Sequence, residues 1–288
     1  MKLLTFVADG QFKSGVVTEH GVIDVEAAAA ALGIAAPTTI AGIVSEGTGA
    51  LEQIAAKAAP GEPWIFEESG LTLGPVVSDP GKIICIGLNY AKHAAESNMP
   101  IPTHPVVFSK FNNTLAGHGE SVPLDTSVAT EFDYEVELCV VIGKTAYKVA
   151  EDNALDHVFG YCTANDISVR DLQTRTSQWL LGKTPDKFFP IGPYLVTADE
   201  VGDPQKLRVT CTVNGETRQD SNTADMIFNV RQLVSYLSQY FPLQPGDLIT
   251  TGTPEGVAMG MPNKPWLKAG DVVEVEVEGL GKLTNTMA

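Results

Sequence analysis

Apolar and polar positions at the start of the chain alternate with a period of two, then give way to a helical spacing. Residues 3–25 alternate around Asp9-Gly10 and His20-Gly21, which predicts three short strands joined by tight turns. Alanine-rich Glu26–Leu32, then Thr38–Glu46 behind threonines able to cap it, then Ala50–Ala58, predict three helices. Gly61–Gly81 is broken by prolines and glycines, so a connection near residue 72 divides a small α+β unit (1–72) from a larger unit (73–288). From Lys82 onward strands dominate. Ile83–Leu88, Pro105–Phe108, Glu135–Ile142 and Pro193–Thr197 carry the pattern, followed by Leu207–Val213, Leu248–Thr251 and Val272–Val277. Helices are expected only at Ser168–Leu181 and Phe228–Tyr240, so the fold class is α+β and β-rich.

One strand departs from simple amphipathicity. In residues 131–141, Asp133, Glu135 and Glu137 fall on one face and Phe132, Tyr134, Val136, Leu138 and Val140 on the other. The acidic phase continues into Cys139 and Val141, so the strand passes from a polar mouth into a buried interior. Carboxylates at that border do not all ionise cheaply without a cation. Taken alone, such a row also suits a solvated strand face. Glu135 and Glu137 at i and i+2, however, present oxygens suited to a hard divalent ion such as Mg²⁺ or Mn²⁺.

Composition narrows the partners. With 19 basic against 35 acidic residues the net charge is -16, and no basic tract offsets it. The surface for phosphate contacts is missing, which argues against nucleic acid and anionic membrane. A small anionic substrate needs a metal or a few local cations to reverse the field in one cleft. Cys85, Cys139, Cys162 and Cys211 lie in apolar runs without metal-ligand spacing, and read as buried reduced thiols of a cytoplasmic protein. The opening apolar run breaks at Asp9, too short for a secretory leader, and no segment reaches membrane-spanning length.

Further residues join the acidic strand. Asp166 follows the apolar run 158–162, and Asp166, Arg170 and Gln173 share one stripe if a helix begins there, offering a third acidic ligand, a carboxylate-binding fork and an amide. His93 and Glu96 stand one helical turn apart, the arrangement that orients an imidazole and raises its basicity. Gly87 before them and Met99-Pro100-Ile101-Pro102 after them suit a segment that closes as a lid. Lys183 follows a helix and a glycine and can project into the same cavity, while Thr250-Thr251-Gly252-Thr253-Pro254 ends a strand as a cradle for a carboxylate or keto oxygen. Neither a phosphate-binding glycine loop nor a serine nucleophile elbow is present.

These blocks occur together in one family. Gly87-Leu88-Asn89-Tyr90 with His93 and Glu96, Asp133–Leu138, Asn165–Asp171 with Gln173, Gly182-Lys183, Ile191-Gly192-Pro193, Val213-Asn214-Gly215 and Thr251–Pro254 carry the resemblance. From Ile84 onward the chain resembles the fumarylacetoacetate hydrolase family, in particular its shorter branch of acylpyruvate hydrolases, oxaloacetate decarboxylases and diketo-acid hydrolases. The resemblance implies a roll of mixed sheets behind a small N-terminal domain, paired as a homodimer. It places Glu135, Glu137 and Asp166 as metal ligands, His93 and Glu96 as the water-activating dyad, and Lys183 as the oxyanion-stabilising lysine. Arg170, Gln173, Gly252 and Thr253 fall at substrate positions. The longer fumarylacetoacetase branch has a fourth acidic ligand before the histidine; this chain has Ile86, which argues against that activity.

The implied chemistry is metal-dependent cleavage of a carbon–carbon bond in a 2,4-dioxo acid, of acylpyruvate or diketo-deoxy sugar acid type, through a stabilised enolate. Oxaloacetate decarboxylation, hydroxydienoate isomerisation or decarboxylation, and binding of metal and 2-oxo acid without turnover are the alternatives. The reading requires that the three carboxylates converge on one ion, with no lysine or arginine in its place.

Overall fold

The alternating start folds as a meander. In the computed structural model, which describes residues 1–288, strands Lys2–Ala8, Gln11–Thr18 and Gly21–Asp24 pair antiparallel in sequence order. The first turn places Asp9 and Gly10 both at positive φ, the twist that matches a two-residue hairpin. Asp24 then accepts a hydrogen bond from Ala27 N and starts the helix Val25–Leu32, which ends at Gly33 with φ +65°. Thr39 caps Ile40–Glu46 in the same way. The third helix spans Gly49–Ala55 and stops three residues before its expected end.

These N-terminal strands continue into the sheet of the larger unit, because Leu3 pairs with Leu195. One ten-stranded mixed sheet results. Its inner strands run Leu195–Thr197, Val158–Asn165, Val136–Ile142, Leu248–Thr250, Ile83–Gly87 and, at the edge, Val106–Lys110. A second, five-stranded sheet contains Arg208–Val213, Val272–Val277 and Gly281–Met287.

Strand phase decides which core each face enters. Val136, Leu138 and Val140 pack against Val209, Val273 and Val275 of the second sheet. Cys139 and Val141, on the opposite phase, share a core with Leu3, Ile23, Ile43 and Leu51. The small unit expected at residues 1–72 therefore covers the same face of the sheet that carries Glu137, farther along the strand. All four cysteines are buried and free.

Of the two helices expected in the larger unit, one needs correction. The helix expected at Ser168–Leu181 is two single turns, Arg170–Gln173 and Leu180–Lys183, separated by the polar run 174–178. The helix expected at Phe228–Tyr240 is present as Val230–Ser238, started by a reciprocal cap between Asn229 and Gln232. No helix is long and apolar enough to cross a membrane.

Candidate active site

The stretch 131–141 is not one strand. Phe132–Asp133 pairs with Ser168–Val169, the chain leaves the ladder at Tyr134-Glu135, and Val136–Ile142 resumes beside Val158–Asn165. Side chains replace the lost ladder. Glu135 N donates to Asn165 Oδ1 at 3.0 Å and Val136 N to Gln219 Oε1 at 3.0 Å, while Glu135 O accepts from Asp166 N at 2.9 Å. This break swings Glu135 beside Asp166. Oxygens of Glu135, Glu137 and Asp166, all buried, lie within 4.8 Å of one another. Asp133 turns elsewhere, accepting from Tyr134 N, Ala258 N, Met259 N and Arg170 Nε.

Three buried cations surround the acids. Lys183 Nζ bridges Glu135 Oε2 at 2.7 Å and Asp166 Oδ2 at 2.8 Å. Arg170 Nη2 donates to Glu135 Oε1 at 2.6 Å and Nη1 to Gln173 Oε1 at 2.8 Å. Lys110, which the sequence reading passed over, donates to Asp166 Oδ1 at 2.6 Å and to Ile167 O. Its only local signal is a lysine closing an apolar strand. Burial pushes the Lys110 ammonium below its usual range, partly countered by Asp166. Lys183 moves the other way, because Asp166 and Glu135 outweigh its burial and push it up to about 12.

This arrangement corrects two expectations. Arg170 was expected as a fork for a substrate carboxylate, but it donates to Asp133, Glu135 and Gln173 and braces the acid cluster. Likewise the Gly252 amide is not open to a ligand: Gly252 N and Thr250 Oγ1 both donate to Glu137 Oε2. Thr253 alone of that cradle lines the cavity. Its Oγ1 accepts from Gln219 Nε2 at 2.8 Å, which leaves the Thr253 proton free to donate.

Charge matching tests whether a divalent ion fits. Asp133, Glu135, Glu137 and Asp166 are four buried carboxylates facing three buried cations, Lys110, Arg170 and Lys183. The carboxylate left over is Glu137, which has only neutral donors. Burial, then the charges of Asp166 and Glu135, push its carboxyl well above the usual range. The requirement set by the sequence is thus met in its geometry and not in its charge: the acids converge, but Lys183, Arg170 and Lys110 occupy both oxygens of Glu135 and of Asp166, and only Glu137 is without a cation. The all-oxygen donor set, in which Glu137 is the one acid without a protein cation, fits a hard divalent ion.

His93 and Glu96, the pair expected from the sequence, are in contact. The one-and-a-half-turn helix Ala91–Glu96 places His93 Nδ1 2.8 Å from Glu96 Oε1. Gly256 N fixes the Glu96 carboxylate at 3.0 Å. With Nδ1 so engaged, Nε2 is the ring nitrogen left for the cavity, which His93 lines together with Glu135, Glu137 and Lys183. Asn89 holds the turn before this helix, donating to Phe228 O and Thr251 O and accepting from Phe228 N. The cavity measures about 250 Å³, and Met99, from the segment expected to act as a lid, reaches its lining.

Comparisons with known proteins agree on what this chain is similar to. Residues 82–288 match the family described as "Fumarylacetoacetate (FAA) hydrolase C-terminal". A 2,4-didehydro-3-deoxy-L-rhamnonate hydrolase of Sphingomonas sp. is 45% identical over 284 residues, covering 98% of this chain and 94% of that protein. A mitochondrial oxaloacetate tautomerase of Bos taurus is 41% identical over 267 residues, covering 92% and 83%. Among solved structures, a maleylpyruvate hydrolase from Sphingobium sp. SYK-6, in complex with manganese(II) and pyruvate, has a TM-score of 0.80 at 30% identity, covering 100% of this chain and 99% of that one.

Proposed function

The chain belongs to the fumarylacetoacetate hydrolase family, and from that premise we propose that it hydrolyses the C3–C4 bond of a 2,4-dioxo acid to pyruvate and a second acid. The observation that carries this reading is that Glu135 and Glu137, whose oxygens lie within 4.8 Å of one another and of Asp166, line one cavity with His93, whose Nδ1 is held by Glu96. Glu135, Glu137 and Asp166 would hold a Mg²⁺ or Mn²⁺ ion, which would supply a Lewis acid for a 2-oxo acid.

The chain's own residues then do the following. Glu96 orients the His93 ring, and Nε2 takes a proton from water as the water oxygen bonds to C4. Lys183 and the Thr253 hydroxyl donate toward the oxygens that gain charge. When C4 returns to a carbonyl, the C3–C4 electron pair leaves with pyruvate as its enolate. His93 returns its proton to C3, completing the methyl group of pyruvate, and the tail departs as a carboxylic acid. Arg170 acts indirectly, by holding Glu135.

The bovine relative favours a second reading in which the same histidine moves a proton between C3 and the enol oxygen of oxaloacetate, with no carbon–carbon cleavage. Incubating the purified chain and Mg²⁺ with 2,4-dioxopentanoate or with oxaloacetate, while following pyruvate release and enol absorbance, separates the two. We expect pyruvate from the dioxo acid, and a loss of about 10²–10⁴ in kcat for His93→Ala. Full-rate hydrolysis by that variant would remove His93 from the mechanism.

A further inference from the structure

Resting on the hydrolytic reading and deepening it, the geometry points to a substrate whose acyl tail is apolar and uncharged. The cavity selects against a 2,4-dioxo acid that carries a second carboxylate. Every cation in the lining is already paired: Lys183 with Glu135 and Asp166, Arg170 with Asp133 and Glu135, His93 with Glu96. The wall leading away from them carries none.

That wall can be followed outward from Lys183. The Phe108 ring centre lies 5.0 Å from Lys183 Nζ, and Trp179 meets Phe108 edge-on at 5.4 Å. Gly87 lies beneath Trp179, where an added Cβ would come within 2.4 Å of the indole, so only glycine allows the ring to lie this close. Leu88 follows at φ +53°, a conformation costly for leucine, held there by the three hydrogen bonds of Asn89. This strain sets an apolar side chain on the cavity lining.

Among the lining residues, Ser97 carries the one buried polar atom with no hydrogen-bond partner, its Oγ. A hydroxyl can take a neutral oxygen of the tail but neutralises no charge. A carboxylate lying along this wall would lose its hydration without gaining a cation, in a chain of net charge -16. A methyl or methylene group there loses nothing and buries apolar surface.

Matched pairs test this. The first is 2,4-dioxoheptanoate against 2,4-dioxoheptanedioate, equal in length and differing by a terminal methyl or carboxylate, compared by kcat/KM for pyruvate release with Mg²⁺. The second is 2-oxohexanoate against 2-oxoadipate, which have no C4 carbonyl to attack, compared by calorimetric Kd with Mg²⁺ present. A preference of about a hundredfold for the neutral member in both pairs is expected. A preference below about threefold, or a reversed one, overturns the inference. Should neither dioxo acid be cleaved, the hydrolytic reading fails by itself, and the calorimetric pair still decides the tail. Leu88→Lys and Trp179→Lys each put a cation on the wall and are expected to shift the ratio about tenfold toward the dicarboxylate. An unmoved ratio in folded variants counts against the wall as selector.

Discussion

Glu135 and Glu137 stand two residues apart and have opposite needs. Burial alone would raise the Glu135 carboxyl, but Arg170 and Lys183 outweigh it and hold that group at about 2. A depressed acid contributes stability above its ordinary value of 4.5, lost as the pH falls toward 2. In the metal-free protein, the urea midpoint of the wild type should therefore drop across that window more steeply than that of Glu135→Gln. At neutral pH Glu135→Gln should itself cost about 1.5–3 kcal/mol, because Arg170 and Lys183 each lose one of two carboxylate partners and keep Asp133 and Asp166. Glu137 has no protein cation, so Glu137→Gln, which can still accept from Gly252 N and Thr250, is expected to keep or raise the metal-free midpoint. A large loss of stability there would show that the charge of Glu137 serves the fold instead of a ligand. Both acids were legible from a period of two and an apolar continuation. Lys110 was not, because its partner Asp166 is 56 residues away in the chain.

At the scale of elements, local pattern located most strands and missed the interruptions that make the site. Alternation from Phe132 to Val141 continues unbroken through Tyr134-Glu135, where the ladder fails. Asn165 and Gln219 make that failure tolerable, and neither is near in sequence. Likewise Arg170–Gln173 and Leu180–Lys183 read as one helix, yet the chain folds back so that Gly182 lies against Gln173. An added Cβ on Gly182 would sit 2.5 Å from Gln173 N. Gly182→Ala should force these turns apart, costing about 1–3 kcal/mol and displacing Lys183 from the acids. Thermal unfolding together with pyruvate release checks this, and an unaltered midpoint with unaltered turnover would contradict it.

Across the whole molecule, two sheet edges differ in how they are protected. The Ile65–Phe66 edge is two residues long, whereas Val106–Lys110 exposes Val107 and continues into exposed Phe111. An open apolar edge invites pairing, and the family resemblance expects a homodimer. We expect light scattering to give twice the chain mass, and Val107→Lys with Phe111→Lys to give the single-chain mass. Unchanged masses would place any interface elsewhere. Three buried cations face four buried carboxylates, and on the proposed reading the acid left over is kept for a doubly charged guest. Titrating Mn²⁺ into the metal-free chain by calorimetry, with Glu137→Gln alongside, tests that most directly. One ion per wild-type chain, with binding lost in the variant, is the predicted result; no binding, or equal binding by both, would contradict it.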